Sequence, residues 1–256
     1  MEVRQPQRNS VLTNIAIVES ATQRPLSRST ALPAELGQRL DNRLTDYWSF
    51  LRSFLRSPGS VGSIAPSSRS LAEAMIAGTN LDKAQMVVEL GPGTGAITQT
   101  IISSIGRNSS FLAMELDARA VQRLRQRFPD VNICHDSAEK IRSHLGRYGR
   151  RHADVIVCSI PWAVMPQEVQ RTIMQHVAAA LAPDGVFTAC TYIGAPLTAR
   201  GRHYGHLLRN LFSTVEVSKM IWGNVPPALV YRCRRPLRPP EQTRRPGSGR
   251  NGSPRR

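Results

Sequence analysis

The sequence predicts an α/β domain with a mostly parallel sheet and helices on both faces. Strand-like apolar runs alternate with helical patterns between residues 65 and 235, as in sheets built from β-α-β units. Some runs, such as VIVC at 155–158, are apolar at every position, which indicates burial on both faces of a sheet. A glycine-rich turn, GPGTG at 91–95, follows the first such run and precedes a helical pattern.

The individual elements are predicted in chain order. A first helix begins at a cap formed by Ser67 or Ser68 and stops near Gly78, because serine accepts hydrogen bonds from first-turn amides and glycine commonly ends helices. Strands are then predicted at 86–90, 110–116, 130–135, 153–159, 185–192 and 229–233. Helices are predicted near 95–105, 118–127, 137–146, 167–181 and 203–211.

Composition divides the chain into four segments. We predict a disordered segment at 1–38, rich in Gln, Arg, Ser and Pro, and an amphipathic helix with its linker at 39–64. The α/β domain follows at 65–235, and a basic, disordered tail occupies 236–256. The N-terminus lacks an apolar signal core, and no apolar run has the roughly 20 residues that cross a bilayer. We therefore expect a cytoplasmic protein.

Charge and cysteine usage limit the partners. The formal net charge is +16, which predicts an anionic partner. Half of this charge lies from Arg232 onward, where nine arginines accompany a single glutamate. The four cysteines form no CxxC pair, so we predict no metal site, no disulfide and a reducing compartment.

Acidic residues beside the glycine turn indicate what the turn binds. The turn supplies Gly91, Gly93 and Gly95, without the Gly-Lys-Ser/Thr sequence of a phosphate-binding P-loop. Glu89 precedes the turn, and a charged carboxylate there suits a cation and repels a pyrophosphate. Glu115 ends the next strand, where a carboxylate takes both ribose hydroxyls of a nucleoside.

The third strand is followed by Asp136 and Ser137, which are predicted to meet an adenine ring. Asp117 is the alternative ribose ligand to Glu115. This arrangement resembles that of class I methyltransferases, and the resemblance implies a Rossmann-like fold and S-adenosylmethionine as the cofactor. The alternative is that these acids are solvated loop residues beside a structural turn.

The fourth strand ends in SIPW at 159–162, which resembles the loop of methyltransferases that act on amino nitrogens. In such a loop, Ser159 and a backbone carbonyl accept hydrogen bonds from the amine, and Pro161 shapes the turn. The ring of Trp162 then holds the developing ammonium by a cation–π attraction. The alternative is a structural proline turn with a buried tryptophan.

The chain resembles the bacterial S-adenosylmethionine-dependent phospholipid N-methyltransferases over residues 47 to 235. Three further segments carry this resemblance: the FLR…PSS run at 54–68, the pair Thr191 and Tyr192, and IWGNVPPALVYRCRR at 221–235. The SIPW loop departs from that family's more usual G-L-P sequence. A weaker resemblance is to the ribosomal RNA adenine dimethyltransferases, from which the chain differs by Ser159 in place of asparagine and by lacking their helical C-terminal domain.

The resemblance implies methylation of the amine of a lipid headgroup on the inner face of a membrane, and the SIPW departure leaves two candidates open, phosphatidylethanolamine and an ornithine-type amino lipid. Either Tyr192 or the Ser159 region is predicted to accept or relay the amine proton, and Tyr204 is predicted to add to the aromatic surround of the amine. A basic cluster is predicted to hold the lipid phosphate: Arg200, Arg202 and His203. Four residues of the amphipathic helix are predicted to enter the anionic membrane surface: Tyr47, Trp48, Leu51 and Phe54.

Several alternatives stay open at this point. The amphipathic helix can instead pack on the domain. The basic tail can be a nucleic-acid arm, or a solvated segment with neither role. For the whole protein, the alternatives are an RNA adenine N-methyltransferase and a non-catalytic module that binds S-adenosylmethionine.

Overall fold

The computed structural model describes residues 68–237. The predictions for the disordered N-terminal segment, the amphipathic helix at 39–64 and the basic tail concern residues outside this range. Tyr47, Trp48, Leu51 and Phe54 are therefore among the residues that the structure does not describe.

The described chain alternates strands and helices, as predicted. The helices are α1 (Arg69–Ile76), α2 (Ala96–Ser104), α3 (Ala118–Arg127), α4 (Ile141–Arg147), α5 (Gln167–Ala180) and α6 (Ala199–Leu211). The strands are β1 (Met86–Leu90), β2 (Ser110–Glu115), β3 (Asn132–His135), β4 (Ala153–Cys158), β5 (Leu181–Tyr192), β6 (Phe212–Val217) and β7 (Ala228–Pro236). Short 3₁₀ helices occupy Ala138–Lys140, Trp162–Val164 and Ala195–Leu197.

These strands form a single seven-stranded sheet in the order β3-β2-β1-β4-β5-β7-β6. The first five strands are parallel, whereas β7 runs antiparallel to both β5 and β6. The carboxyl ends of the parallel strands therefore share one edge of the sheet, and the first residue of β7 lies at that same edge. Ligands of open α/β sheets bind at this edge.

Each face of the sheet buries its own apolar cluster. One cluster packs Leu90, Met114 and Phe187 with side chains of α4, α5 and α6. The other packs Val87 and Val157 with side chains of α1, α2 and α3. Burial on both faces explains why β1 and β4 are apolar at all but one position each, Glu89 and Asp154.

The structure also corrects the predicted elements. Strand β6, FSTVEV, was not predicted, because it lies at the edge of the sheet and exposes most of its length. Strand β5 begins at Leu181, since the pairing with β4 continues across a register shift through residues that read as a turn. Helix α6 begins four residues earlier than predicted, after Thr198, whose side chain accepts a hydrogen bond from the Gly201 amide at 3.0 Å.

Within residues 68–237, no helix combines the length and apolar character that crossing a membrane requires. The same part of the chain contains no cluster of three or more His, Cys, Asp or Glu side chains that could hold a metal ion.

Candidate active site

The glycine turn joins β1 to α2 at the carboxyl edge of the sheet. Gly91, Gly93 and Gly95 all have positive φ angles, of 71°, 57° and 79°. The turn is anchored to a neighbouring strand, because the Gly91 amide donates to the Met114 carbonyl at 2.9 Å. A side chain at Gly93 would meet only the Gly91 carbonyl oxygen, at 4.0 Å. The turn is therefore open above Gly93, where a ligand can approach the backbone.

The Glu115 carboxylate binds three backbone amides at the end of β2. Its Oε2 accepts from Gly93 at 3.0 Å, and its Oε1 accepts from Leu116 at 2.8 Å and from Asp117 at 2.9 Å. Burial raises the pKa of Glu115, although these amides act in the opposite direction. Because a carboxylate oxygen has two lone pairs, Oε2 retains one acceptor position beside the turn. This position can take a hydroxyl group such as that of a ribose.

Asp117, the alternative ribose ligand, has a structural role. Its Oδ1 accepts a hydrogen bond from the Ala120 amide at 2.8 Å and thereby caps helix α3. A capping carboxylate is held at the helix terminus by this bond. The geometry therefore favours Glu115 as the ribose ligand.

Glu89 lies beneath the turn and is completely buried. Its Oε2 accepts a hydrogen bond from the Thr98 hydroxyl at 2.7 Å, while its Oε1 has no hydrogen-bond partner. Burial raises the pKa of Glu89 to about 8. At neutral pH the cofactor-free protein therefore favours the protonated form of Glu89, and its role beside a cationic cofactor stays a prediction.

The raised pKa predicts how stability depends on pH. Between the ordinary value of 4.5 and about 8, the folded state keeps the Glu89 proton while the unfolded chain loses it. The free energy of unfolding therefore falls as the pH rises through this window. Glu89→Gln removes this ionisation. From pH 6 to pH 8, we therefore expect the free energy of unfolding of the variant to rise by about 2 kcal/mol relative to that of the wild type, because each unit of pKa shift corresponds to about 1.4 kcal/mol.

This gain is measured by urea unfolding of both cofactor-free proteins at the two pH values. The comparison within each pH cancels the other titrating groups. Parallel pH profiles of the two proteins would show that Glu89 has an ordinary pKa.

Asp136 and Ser137 follow β3 but are already engaged. The Asp136 carboxylate contacts Lys140 and His144, each at 3.0 Å, and accepts from the Ser137 amide at 2.9 Å. Burial acts to raise its pKa, but these hydrogen bonds and the Lys140 charge hold the pKa at about 2. Ser137 caps the following 3₁₀ helix. The structure places both residues beside Glu115, since the Asp136 amide donates to the Glu115 carbonyl at 3.1 Å.

The SIPW loop lies directly beside the glycine turn. The Ser159 amide donates to the Leu90 carbonyl at 2.8 Å, and Ile160 contacts the position that a side chain at Gly91 would occupy. Pro161 leads into the 3₁₀ helix that begins at Trp162. The Ser159 hydroxyl is buried without a hydrogen-bond partner, so its acceptor positions are unused, and its contact with an amine stays a prediction.

The structure does not support the amine-holding role predicted for Trp162. Its ring is 2% exposed and stacks on Tyr204, with ring centroids 4.7 Å apart. Tyr204 is equally buried and packs edge-on against Tyr231. Both rings belong to the apolar cluster beneath α6. The alternative, a proline turn with a buried tryptophan, agrees with this packing.

Gln170 on α5 was missed by the sequence analysis, because a lone glutamine on a helix carries no motif. It is completely buried, and its Nε2 donates to the carbonyls of Trp162 at 2.7 Å and Met165 at 3.2 Å. The same nitrogen lies 3.3 Å from the Arg200 carbonyl at the start of α6. Gln170 therefore joins the SIPW loop to the segment that carries the predicted phosphate ligands.

Tyr192 ends β5 at the same edge of the sheet and is partly buried. Burial raises its pKa further above the ordinary value, with a smaller contribution from Cys190. Its phenol is therefore protonated at neutral pH. It can orient an amine by a hydrogen bond, but it cannot take the amine proton as a phenolate base.

The predicted phosphate ligands lie on the first turns of α6. Arg200 and Arg202 are exposed, and each uses one guanidinium nitrogen on a backbone carbonyl, of Val164 and Leu197 respectively. Their other N–H groups can bind an anion. His203 differs, since its Nε2 is buried without a hydrogen-bond partner. The structure thus exposes the two arginines, whereas His203 is half-buried with its Nε2 turned away from solvent.

These residues fit a nucleoside-type cofactor that carries a positive charge. The turn leaves backbone open at Gly93, Glu115 retains an acceptor position, and the buried Glu89 Oε1 lacks a donor. A cation near Glu89 would favour the ionised carboxylate. The assignment of these residues to the cofactor follows from their geometry and stays a prediction.

Comparison with known proteins identifies relatives of this chain. A family model described as a methyltransferase domain matches residues 87–185. An ornithine lipid N-methyltransferase of Singulisphaera acidiphila is 30% identical over 195 residues, which is 75% of this chain and 97% of that protein. A ribosomal RNA small subunit methyltransferase A of Acidobacterium capsulatum is 35% identical over 115 residues, which is 43% of this chain and 37% of that protein.

Two solved structures share the fold. Human methyltransferase-like protein 13 in complex with SAH has a TM-score of 0.52 and 21% identity, and covers 68% of this chain and 85% of its own. An O-methyltransferase from Bacillus cereus in complex with SAH has a TM-score of 0.52 and 8% identity, and the match covers 80% of this chain and 93% of that protein. The predicted Rossmann-like fold is confirmed, and this protein uses S-adenosylmethionine as its cofactor. The chain belongs to the bacterial class I lipid N-methyltransferase family.

Proposed function

We propose that this protein transfers methyl groups from S-adenosylmethionine to the amine of a lipid headgroup at a membrane surface. The candidate lipids are phosphatidylethanolamine with its partly methylated forms, and an ornithine-type amino lipid. The similarity to an ornithine lipid N-methyltransferase over nearly that protein's whole length supports the choice of a lipid amine.

One contact of the structure carries this proposal. The Ser68 amide donates to the Asn224 Oδ1 at 2.9 Å, across 156 residues of sequence. Ser68 closes the PSS run and Asn224 lies in NVPPA, which are the two segments on which the resemblance to lipid methyltransferases depends most. Asn224 is 1% exposed and also donates to the Pro226 carbonyl at 2.7 Å. This contact therefore joins Ser68, the last residue of the PSS run, to the NVPPA segment.

The NVPPA segment adjoins Tyr192, which is predicted to meet the methyl acceptor. Tyr192 pairs with Ala228, the last residue of NVPPA. The Ile193 amide donates to the carbonyl of the preceding residue, Pro227, at 2.8 Å. The NVPPA segment thus lies beside the end of β5. This position supports a role for NVPPA in selecting the methyl acceptor.

The residues of the chain act mainly by positioning. Bound S-adenosylmethionine supplies an activated methyl group on a sulfonium, for direct displacement by the amine. The Ser159 hydroxyl can accept a hydrogen bond from an amine N–H, and the Tyr192 phenol can orient the same nitrogen. The amine must arrive unprotonated, and an enclosed site favours its neutral form. Arg200 and Arg202 can hold an anionic headgroup oxygen.

We further propose that the protein associates peripherally with the inner face of a membrane. The amphipathic segment at 39–56 supports this location through its aromatic and leucine side chains. The basic residues of the chain support it through their attraction to anionic lipid, at about 1 kcal/mol for each residue near the surface.

The test offers several acceptors to the same protein. The full chain is incubated with methyl-labelled S-adenosylmethionine and anionic vesicles that contain phosphatidylethanolamine or an ornithine lipid, or with ribosomal RNA. We expect label in the amine-containing lipid, and Ser159→Ala should lower this turnover while cofactor affinity, measured by calorimetry, stays unchanged. Vesicles of phosphatidylcholine and phosphatidylglycerol, which lack a free amine, are the control.

Two outcomes would reject the proposal. Label in RNA and not in lipid would favour an RNA adenine methyltransferase, to which the Acidobacterium capsulatum relative points over 115 residues. Cofactor binding without transfer to either acceptor would favour a non-catalytic module.

A further inference from the structure

We propose that the domain has its own membrane-docking surface, separate from the amphipathic segment, formed by exposed apolar side chains at the carboxyl edge of the sheet. We call this surface the apolar rim, and its occupant is a bilayer that contains anionic lipid. The inference rests on the proposed function, because a lipid substrate brings this edge to a membrane. The apolar rim consists of Ile193, Leu197, Trp222 and Val225.

Exposure sets these residues apart from other apolar side chains. Leu197 is 79% exposed, Trp222 71% and Val225 67%. Ile193, at 48%, completes the set, and only two other large apolar side chains within residues 68–237 have comparable exposure. Single exposed apolar residues are ordinary, but a group of them indicates a binding surface. Tryptophan in particular is enriched where protein meets the membrane interface.

Hydrogen bonds show that the two segments of the apolar rim adjoin each other. The Ile193 amide donates to the Pro227 carbonyl at 2.8 Å. Ile221 forms a bridge with Ala228, which in turn pairs with Tyr192 at the end of β5. The loop that carries Trp222 and the segment that follows β5 are therefore joined at the sheet edge.

The loop of the apolar rim is braced from below. Asn224, between Trp222 and Val225, is bonded to Ser68 at the cap of α1. A side chain at Gly223 would lie 3.1 Å from the Ser70 hydroxyl, so the loop packs closely on α1. Trp222 and Val225 are thus exposed on a supported loop, although their neighbour Asn224 is buried.

The apolar rim lies at the same edge of the sheet as the candidate active site. The glycine turn, Ser159 and Tyr192 all lie at the carboxyl ends of parallel strands, and β7 begins at that edge. A lipid whose acyl chains stay in the bilayer can present only its headgroup to these residues. A bilayer seated on the apolar rim would therefore hold the headgroup beside the site.

Charge identifies the occupant as an anionic bilayer. Residues 193–211 and 218–228 contain no Asp or Glu. Four exposed arginine and lysine side chains lie in these segments: Arg200, Arg202, Arg209 and Lys219. Apolar side chains interleaved with basic ones match an interface that contains anionic lipid. A second copy of this chain is a poorer occupant, because each copy carries a net charge of +16.

The test compares two full-length variants. Leu197→Ser/Trp222→Ser removes the two most exposed side chains of the apolar rim. Leu237→Ser removes a side chain that is 49% exposed at the opposite edge of the sheet, after β7. Each protein is sedimented with vesicles of phosphatidylglycerol and phosphatidylethanolamine, and its cofactor affinity is measured to show that it is folded. We expect the double variant to lose vesicle binding by tenfold or more, and Leu237→Ser to match the wild type.

The outcomes separate this inference from the proposed function. The docking role of the apolar rim would be overturned if the double variant bound vesicles like the wild type, or if Leu237→Ser lost binding equally. This would hold even if the wild type methylates lipid. Loss of self-association instead of vesicle binding would overturn it in favour of a second copy. Loss of vesicle binding specific to the double variant would support the apolar rim even if no lipid takes label, and only the proposed function would then fail. Turnover on detergent-dispersed lipid should survive in the double variant.

Discussion

Replacing Glu115 by alanine is expected to weaken S-adenosylmethionine binding by at least tenfold. The carboxylate holds the glycine turn through the Gly93 amide and retains one acceptor position for a ribose hydroxyl. Hydrogen bonds to a charged group contribute about 1.5–3 kcal/mol each, and about 1.4 kcal/mol corresponds to tenfold in affinity. Calorimetric titration of the variant with the cofactor measures the loss, and circular dichroism checks the fold.

Asp117→Ala is the matched control for this prediction. Asp117 caps α3 through the Ala120 amide, so its loss should cost about 1 kcal/mol of stability and leave cofactor affinity nearly unchanged. The opposite pattern, with affinity lost in Asp117→Ala and kept in Glu115→Ala, would transfer the ribose site to Asp117.

Replacing Gly95 by alanine is expected to destabilise the fold by about 2–5 kcal/mol. Gly95 has a φ of 79°, a left-handed conformation that costs other residues roughly 1–2 kcal/mol. An alanine Cβ would also lie 2.5 Å from Cε2 of Phe128 and 2.9 Å from Cδ2 of Leu124. Crowding of this kind in a packed core costs about 1–3 kcal/mol. Urea unfolding of the variant measures the sum.

Gly149→Ala separates the two contributions. Gly149 has a similar φ of 65°, but a Cβ there would meet nothing within 4 Å. This variant should therefore show the backbone cost alone. Equal destabilisation at the two positions would mean that α2 shifts freely from Phe128 and that the close packing behind the turn is unimportant.

Local patterns were sufficient for most of the fold. Strand β1 has the bounds that its apolar run predicts, and helix α3 occupies 118–127 as predicted. The Ser68 cap follows from the serine before a helical pattern. Elements defined by distant partners were harder to predict from the sequence. For example, β6 is a strand because it pairs with β7, and its own exposed, polar sequence does not reveal this.

The candidate site divides in the same way. The sequence placed Gly91, Glu115 and Ser159 at strand ends, and the structure brings their segments together at one edge. It did not predict that Trp162 would be buried against Tyr204, or that Gln170 would hold the loop. Both depend on helices α5 and α6, which pack against the loop from later in the chain.

By itself, the sequence determined the strand–helix alternation, the glycine turn and the acids that follow each strand, because these depend on residues that are close in the chain. Only the tertiary structure decided that burial raises the pKa of Glu89, that Ser68 meets Asn224 and that Trp222 is exposed while Trp162 is buried. The pKa, the contacts and the exposure of a side chain are set by desolvation and packing. Those depend on neighbours from distant parts of the chain, as with Ser68 and Asn224, which are 156 residues apart.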